Sequence, residues 1–149
     1  MRVFDTESSG SELCCFTDHA GMVSCVRFHP DCQCVASCGS DKKVKIFDTR
    51  SKRLLQHYDA HFDGVNSVAF HPSGHYLVST SQDATVKLWD LRQGRILYTL
   101  YGHEGSTTGA AFSPMGDYFA TGGKDAILQV WKTNFVEERG EIIEGLELD

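Results

Sequence analysis

The hydrophobic pattern along this chain is short-ranged and is broken by turns every few residues. VNSVAF (65–70) is rich in β-branched and aromatic residues and runs directly into HPSG, a turn with proline early and glycine late. HYLVSTS (75–81) is a second run of the same kind, QDAT turns, and TVKLWD (85–90) is a third. LRQG turns again, and RILYTL (95–100) alternates in the way of an outer, half-exposed strand. The central runs are apolar on both faces, as expected of a small sheet held between two neighbours. The pattern predicts an all-β chain built from short, four-stranded antiparallel sheets.

The unit recurs. His19, His61 and His103 stand 42 residues apart, and Asp41, Asp83 and Asp125 keep the same interval. So do Ser37, Ser79 and Thr121, and so do Phe47, Trp89 and Trp131. VRFHP, VAFHP and AAFSP align at 26–30, 68–72 and 110–114. Sheets of four strands repeated at such a period belong to radial arrays, in which each sheet covers the next. Counting from MRVFD to Trp131 predicts thirteen strands, a little over three such units. A histidine, a serine and an aspartate at 61, 79 and 83 also suggest a hydrolase triad. A catalytic set occurs once per active site and leaves its nucleophile exposed, whereas three copies at a constant interval describe a building block.

Composition narrows the function. Of 149 residues, 41% are hydrophobic and 23% charged, the balance of a globular chain. No window approaches about 18 consecutive apolar residues. MRVFDTESSG lacks a basic segment followed by an apolar run, so no secretory signal is read there and a cytosolic or cytoskeletal address is expected. Of the net charge of −6, −5 sits in the tail EERGEIIEGLELD (137–149). The nearly neutral body argues against a nucleic-acid partner, which needs a basic footprint. One local exception, DKKVKIFDTRSKR (41–53), has six bases against two acids and predicts a solvated face or a contact for an acidic partner. All six cysteines lie between Cys14 and Cys38, with no CxxC pair and no oxidising compartment implied, so buried or half-buried free thiols are expected and no metal. No phosphate loop, metal cluster or isolated nucleophile–base pair points to an enzyme or a cofactor.

The recurring positions resemble WD40 repeats over residues 2 to about 135. The resemblance implies about three to three and a half blades of a seven-bladed β-propeller. Its repeats fall near 11–50, 51–92 and 93–133, after the end of another blade, and an acidic tail follows at 136–149. In that family His, Ser/Thr, Asp and Trp form a hydrogen-bonded tetrad inside each blade. The matching positions are His61, Ser79, Asp83 and Trp89, and again His103, Thr121, Asp125 and Trp131. The first unit has His19, Ser37 and Asp41 but Phe47 in place of the indole; phenylalanine has no N–H to donate, so that tetrad is expected to be one bond short.

RLLQHYDAH (53–61), FHPSGHYLVSTSQDATVKLWDLRQGRILYTLYGHEG (70–105) and GDYFATGGKDAILQVWKTNF (116–135) are similar to the last blades of the centriolar WD40 family known as proteome of centriole protein 1. That resemblance implies a non-catalytic scaffold of centrioles and basal bodies, supporting centriole assembly or stability and cilium formation. It implies centriolar or microtubule-associated protein partners and an address in the cytoplasm, cytoskeleton, centrosome and cilium base. The family carries seven blades and a C-terminal coiled coil. This chain carries about half the propeller and a short tail in which Gly145 interrupts the apolar pattern, as a fragment or a shortened gene product would.

Propellers bind through loops at their rims, because packing occupies the strands. The expected loops on the histidine rim are His61–Val65, Gln82–Thr85, His103–Thr107 and Lys124–Ala126, with Phe62, Asp63, Gln82, Glu104 and Lys124 as contacts. A competing function is suggested by WDLR (89–92), matched loosely by FDTR (47–50), which is similar to the motif of WD40 substrate receptors for cullin-type ubiquitin ligases. Arg92 would then make charge-assisted bonds to an adaptor. An incomplete ring leaves terminal faces bare, so self-association is expected, with two chains closing one ring as the specific form.

Overall fold

The computed structural model describes residues 1–7 and 10–135. The acidic tail expected at 136–149 lies outside them. Every element among the described residues is a strand. In chain order they are β1 (Arg2–Asp5), β2 (Ser11–Cys15), β3 (Val23–Phe28), β4 (Cys34–Gly39), β5 (Lys43–Asp48), β6 (Arg53–Asp59) and β7 (Val65–Phe70). β8 (Tyr76–Ser81), β9 (Thr85–Asp90), β10 (Arg95–Tyr101), β11 (Thr107–Phe112), β12 (Tyr118–Gly123) and β13 (Leu128–Lys132) follow. They pair antiparallel in sequence order into four sheets: β1–β2, β3–β6, β7–β10 and β11–β13.

Each complete sheet is built the same way because the same local chemistry returns. The turn between its first two strands places Cys32, Gly74 and Gly116 at φ 60°, 78° and 81°. This left-handed conformation suits glycine, and Cys32 adopts it at a steric cost. The first strand of each sheet then takes one extra residue opposite its neighbour, between Val23 and Cys25, Val65 and Ser67, and Thr107 and Gly109. Such a bulge bends the strand and increases its twist. β10 departs from the alternation expected of it: a register shift between Ile96 and Tyr98 carries the side chains across the sheet, and most of the strand is half-buried rather than alternating.

The core lies between sheets, not inside one. Cys14 and Phe16 of the β1–β2 side meet Phe47, with the two phenylalanine rings 4.5 Å apart. Ala36, Cys38, Val44 and Ile46 pack against Val65, Val68, Leu77 and Trp89. Val78, Val86 and Leu88 then pack against Phe119 and Trp131. Each fully buried Val, Leu or Phe stabilises the stack by about 1.5–3 kcal/mol. That explains why β8 is buried along its whole length while β6 is mostly exposed.

Polar ties reinforce the stacking. The His29 imidazole donates through Nε2 to the Gly74 carbonyl at 2.9 Å, and His71 reaches the Gly116 carbonyl at 3.2 Å. Each therefore crosses from one sheet to the turn of the next. Asn66 Nδ2 donates to the Thr107 carbonyl at 2.6 Å across the following interface. Among the described residues, the stack is open at two places. Val26 and Phe28 are exposed beside a groove of about 260 Å³ shared with Met1–Phe4, and Leu128 on the last sheet is 73% exposed.

The expectation for the cysteines needs correction. The six cysteines are free, but only Cys14 and Cys38 are buried and only Cys25 and Cys34 half-buried; Cys15 and Cys32 are exposed, on an outer strand and at a turn tip. The basic stretch 41–53 keeps Lys42, Arg50, Lys52 and Arg53 exposed, as expected of a solvated face, while Lys43 and Lys45 are drawn in. Lys45 is buried and donates to the Asp18 carbonyl, Lys43 pairs with Asp59, and Lys42 donates to the Phe62 carbonyl.

Candidate functional site

The strongest chemistry-bearing cluster is repeated in the β3–β6, β7–β10 and β11–β13 sheets. His61 precedes β7, Ser79 lies on the adjacent β8, Asp83 sits in the β8–β9 turn and Trp89 lies on β9. Antiparallel pairing of neighbouring strands brings all four together. The Trp89 indole donates to Ser79 Oγ at 2.9 Å, and that hydroxyl lies 2.8 Å from His61 Nε2. Since Ser79 Oγ accepts from the indole, its own proton is directed at His61 Nε2. The imidazole then carries its proton on Nδ1, which donates to Asp83 Oδ2 at 3.0 Å. The relay runs indole, hydroxyl, imidazole, carboxylate, with a donor facing an acceptor at each step.

The next sheet repeats it. Trp131 donates to Thr121 Oγ1 at 3.0 Å, His103 Nε2 lies 2.9 Å from that hydroxyl, and His103 Nδ1 lies 2.8 Å from Asp125. In the β3–β6 sheet, His19 keeps both its bonds, 2.7 Å to Ser37 Oγ and 2.8 Å to Asp41. Phe47 offers no donor there and instead packs on Phe16. The missing indole thus shortens the relay at its head and leaves the histidine's own contacts in place.

In the β7–β10 sheet, electrostatics favour a neutral His61 and an anionic Asp83. Burial lowers the His61 pKa and outweighs the opposing pull of Asp83. Burial alone would raise the Asp83 carboxyl, yet the Thr85 hydroxyl and amide, with His61 and the Phe62 amide, hold it down to about 2. Asp41 is lowered in the same way, with burial opposed first by the His19 hydrogen bond. For Asp125 the backbone amide of Ile127 leads the opposition to burial. Ser79 has no exposed surface and its hydroxyl already accepts the indole proton, so the triad geometry cannot present a nucleophile to a substrate.

The relay also positions the rim. Its aspartates accept from the backbone just past each histidine: Phe62 N–H donates to Asp83 at 2.9 Å and Glu104 N–H to Asp125 at 3.1 Å. The Gln82 amide donates to the Gly64 carbonyl at 2.9 Å and the Lys124 amide to Ser106 at 2.9 Å. Phe62, Asp63, Gln82, Glu104 and Lys124 are all exposed at this one end of the sheets. Phe62 is 86% exposed, with the Lys87 ammonium 5.8 Å from its ring centroid. Arg92 lies at the opposite end, in the β9–β10 turn. Its guanidinium donates to the Tyr76 hydroxyl at 3.3 Å and stands beside a cavity of about 450 Å³ that Met115 and Phe135 also line.

Sequence reasoning missed four polar contributors. His29 and His71 tie successive sheets, and the Thr85 hydroxyl bridges Asp83 at 2.6 Å and His61 at 3.0 Å. The FHP triplets were a visible signal for the first two, since each precedes a turn residue of the next unit at a constant distance. Thr107, fully buried, accepts the Ser81 amide at 2.8 Å across a sheet interface. Nothing in its immediate sequence announced that.

The family model described as WD domain, G-beta repeat matches residues 10–48, 52–90 and 94–132. A comparison with curated proteins finds no match. Each matched repeat runs from the last strand of one sheet through the third strand of the next, so the repeating unit bridges two sheets. WD40 repeats are in general non-catalytic protein-interaction modules. With the matched segments covering most of the chain and the His–Ser/Thr–Asp–Trp relay in place, the chain belongs to the WD40 repeat family.

Proposed function

We propose that this chain is a non-catalytic, protein-binding scaffold of centrioles and basal bodies, supporting centriole assembly or stability and cilium formation. The observation that carries the binding part is Phe62. A large aromatic side chain stands 86% exposed on a loop whose amide and carbonyl are both fixed, by Asp83 and Lys42. Fixing the loop before binding lowers the ordering cost on association, and exposed aromatics are the usual anchors of interfaces. Asp63, Gln82, Glu104 and Lys124 surround it with polar groups of both signs, suited to a mixed protein surface. The centriolar part rests on the similarity of 53–61, 70–105 and 116–135 to the centriolar family, and the partners are then centriolar or microtubule-associated proteins.

A tagged copy expressed in ciliated cells tests it. Enrichment at basal bodies, reduced severalfold by Phe62→Ala, is expected; a uniform cytosolic or nuclear distribution overturns the centriolar assignment. The second reading, a substrate receptor for a cullin-type ubiquitin ligase, is favoured by one observation: the Arg92 side chain remains 51% exposed on the opposite rim. Adaptor capture by the chain, lost on Arg92→Ala, would replace the scaffold reading.

A further inference from the structure

Cys25 on β3 and Cys38 on β4 are directly opposed across the antiparallel pair, immediately after the bulge. Opposed residues in such a pair point to the same face. Regular antiparallel pairing sets opposed Cα atoms about 4.5–5.5 Å apart, inside the roughly 4.4–6.8 Å window that a disulfide spans. The Cys25 sulfur also lies 3.8 Å from Ser67 Oγ and 3.9 Å from the Val68 carbonyl, at the interface with the next sheet. The other sheets repeat this register with different chemistry: Ser67 opposes Thr80, and Gly109 opposes Gly122. The backbone therefore brings these positions together in all three of these sheets, and only the β3–β6 sheet places sulfur at both.

We propose that Cys25 and Cys38 are a thiol oxidation site that closes reversibly to a cross-strand disulfide in response to peroxide, with Cys25 as the attacking sulfur and Cys38 as the resolving one. Their environments divide the roles. Cys25 is half-buried, whereas Cys38 has no exposed surface. The Cys38 thiol, ahead of the opposing effect of burial, lowers the Cys25 pKa, with the Ser67 hydroxyl and the Arg27 charge contributing after them. The same contact, with burial, raises Cys38. Cys25 is thus the more acidic and the more accessible thiol of the pair, and the thiolate is the nucleophile.

The chemistry balances with hydrogen peroxide as oxidant. The Cys25 sulfur attacks one peroxide oxygen, the O–O bond breaks, and the sulfenic acid forms as the other oxygen leaves and takes a proton as water. The Cys38 sulfur then attacks the sulfenic sulfur, the S–O bond breaks, and hydroxide leaves with the Cys38 proton as a second water. Two thiols lose two electrons and the peroxide gains them. A thiol reductant reverses the bond by exchange. The link would pin β3, the strand whose Val26 and Phe28 are exposed at the open end of the stack, to the buried β4.

The test is peptide mapping of the intact chain after brief hydrogen peroxide treatment and alkylation, without and with dithiothreitol. A 25–38 linked peptide, lighter by two hydrogens and lost on reduction, is expected in the native chain and also in Cys15→Ser/Cys32→Ser, which lacks the two exposed thiols. It should be absent in Cys25→Ser/Cys38→Thr, which copies the Ser67–Thr80 pair of the next sheet and so suits the fold. Two results would overturn the proposal. One is Cys15 and Cys32 oxidised while Cys25 and Cys38 stay alkylated as free thiols; the other is Cys25 converted to sulfinic acid with Cys38 unlinked.

Discussion

Ser79→Ala and Ser37→Ala remove the same hydroxyl from equivalent positions, both without exposed surface, yet the relay makes their consequences unequal. Ser79 Oγ serves two buried neighbours, the Trp89 indole at 2.9 Å and His61 Nε2 at 2.8 Å. Ser37 Oγ contacts His19 Nε2 at 2.7 Å and has Phe47 where the indole would be. A buried polar group left without its partner costs about 1–3 kcal/mol. Ser79→Ala strands two groups and is expected to cost about 2–4 kcal/mol, while Ser37→Ala strands one and is expected to cost about 1–2 kcal/mol. The volume removed is identical, so packing cancels in the comparison. Urea denaturation followed by fluorescence of the two tryptophans at sub-micromolar concentration measures both losses. A cycle with Trp89→Phe isolates the indole–hydroxyl bond: in that background Ser79→Ala should fall to the Ser37→Ala value, a coupling of about 1–2 kcal/mol. Equal losses in the two single serine variants, or zero coupling in the cycle, would refute the proton relay as the source of the difference.

Gly74→Ala places a Cβ 2.4 Å from His29 Nε2 at φ 78°, whereas Gly94→Ala at φ 64° meets no atom within 4 Å. The second should cost about 1 kcal/mol of backbone strain and the first clearly more, with His29→Ala recovering part of the excess in thermal melts; equal losses would mean the inter-sheet histidine contributes nothing. Stability should fall on acidification in two stages. The unfolded state takes up a proton near pH 6.5 that buried His61 resists, and again near pH 4 where Asp41, Asp83 and Asp125 resist, Asp83 down to about 2. Urea midpoints that stay flat from pH 7.5 to pH 5 would contradict the first stage. With Phe28 59% and Leu128 73% exposed on the open ends, the chain should run as dimers or larger species by light scattering at micromolar concentration, two chains closing a ring being the specific expectation; a cooperative monomer that binds no hydrophobic dye would count against it.

The sequence by itself determined the strands, because each lies between turns whose chemistry is local: Pro72 and Gly74, Asp83 and Ala84, Gln93 and Gly94. It also determined which residues form the relay, since the period of 42 carries His61, Ser79, Asp83 and Trp89 into equivalent places in each unit. Even the incomplete relay was legible, as Phe47 lacks the atom that donates. What the sequence did not disclose depends on contacts between residues far apart in the chain. Lys45 looks like part of a basic surface until β5 is packed between its neighbours, where its ammonium must find the Asp18 carbonyl. Cys25 and Cys38 are two of six similar thiols until the bulge after Val23 sets them opposite each other. The shift at Ile96 that spoils the alternation of β10 follows from its pairing with β9. Local pattern specifies φ, ψ and hydrophobic period. Register and burial are properties of pairs of strands, and only the stacked sheets decide them.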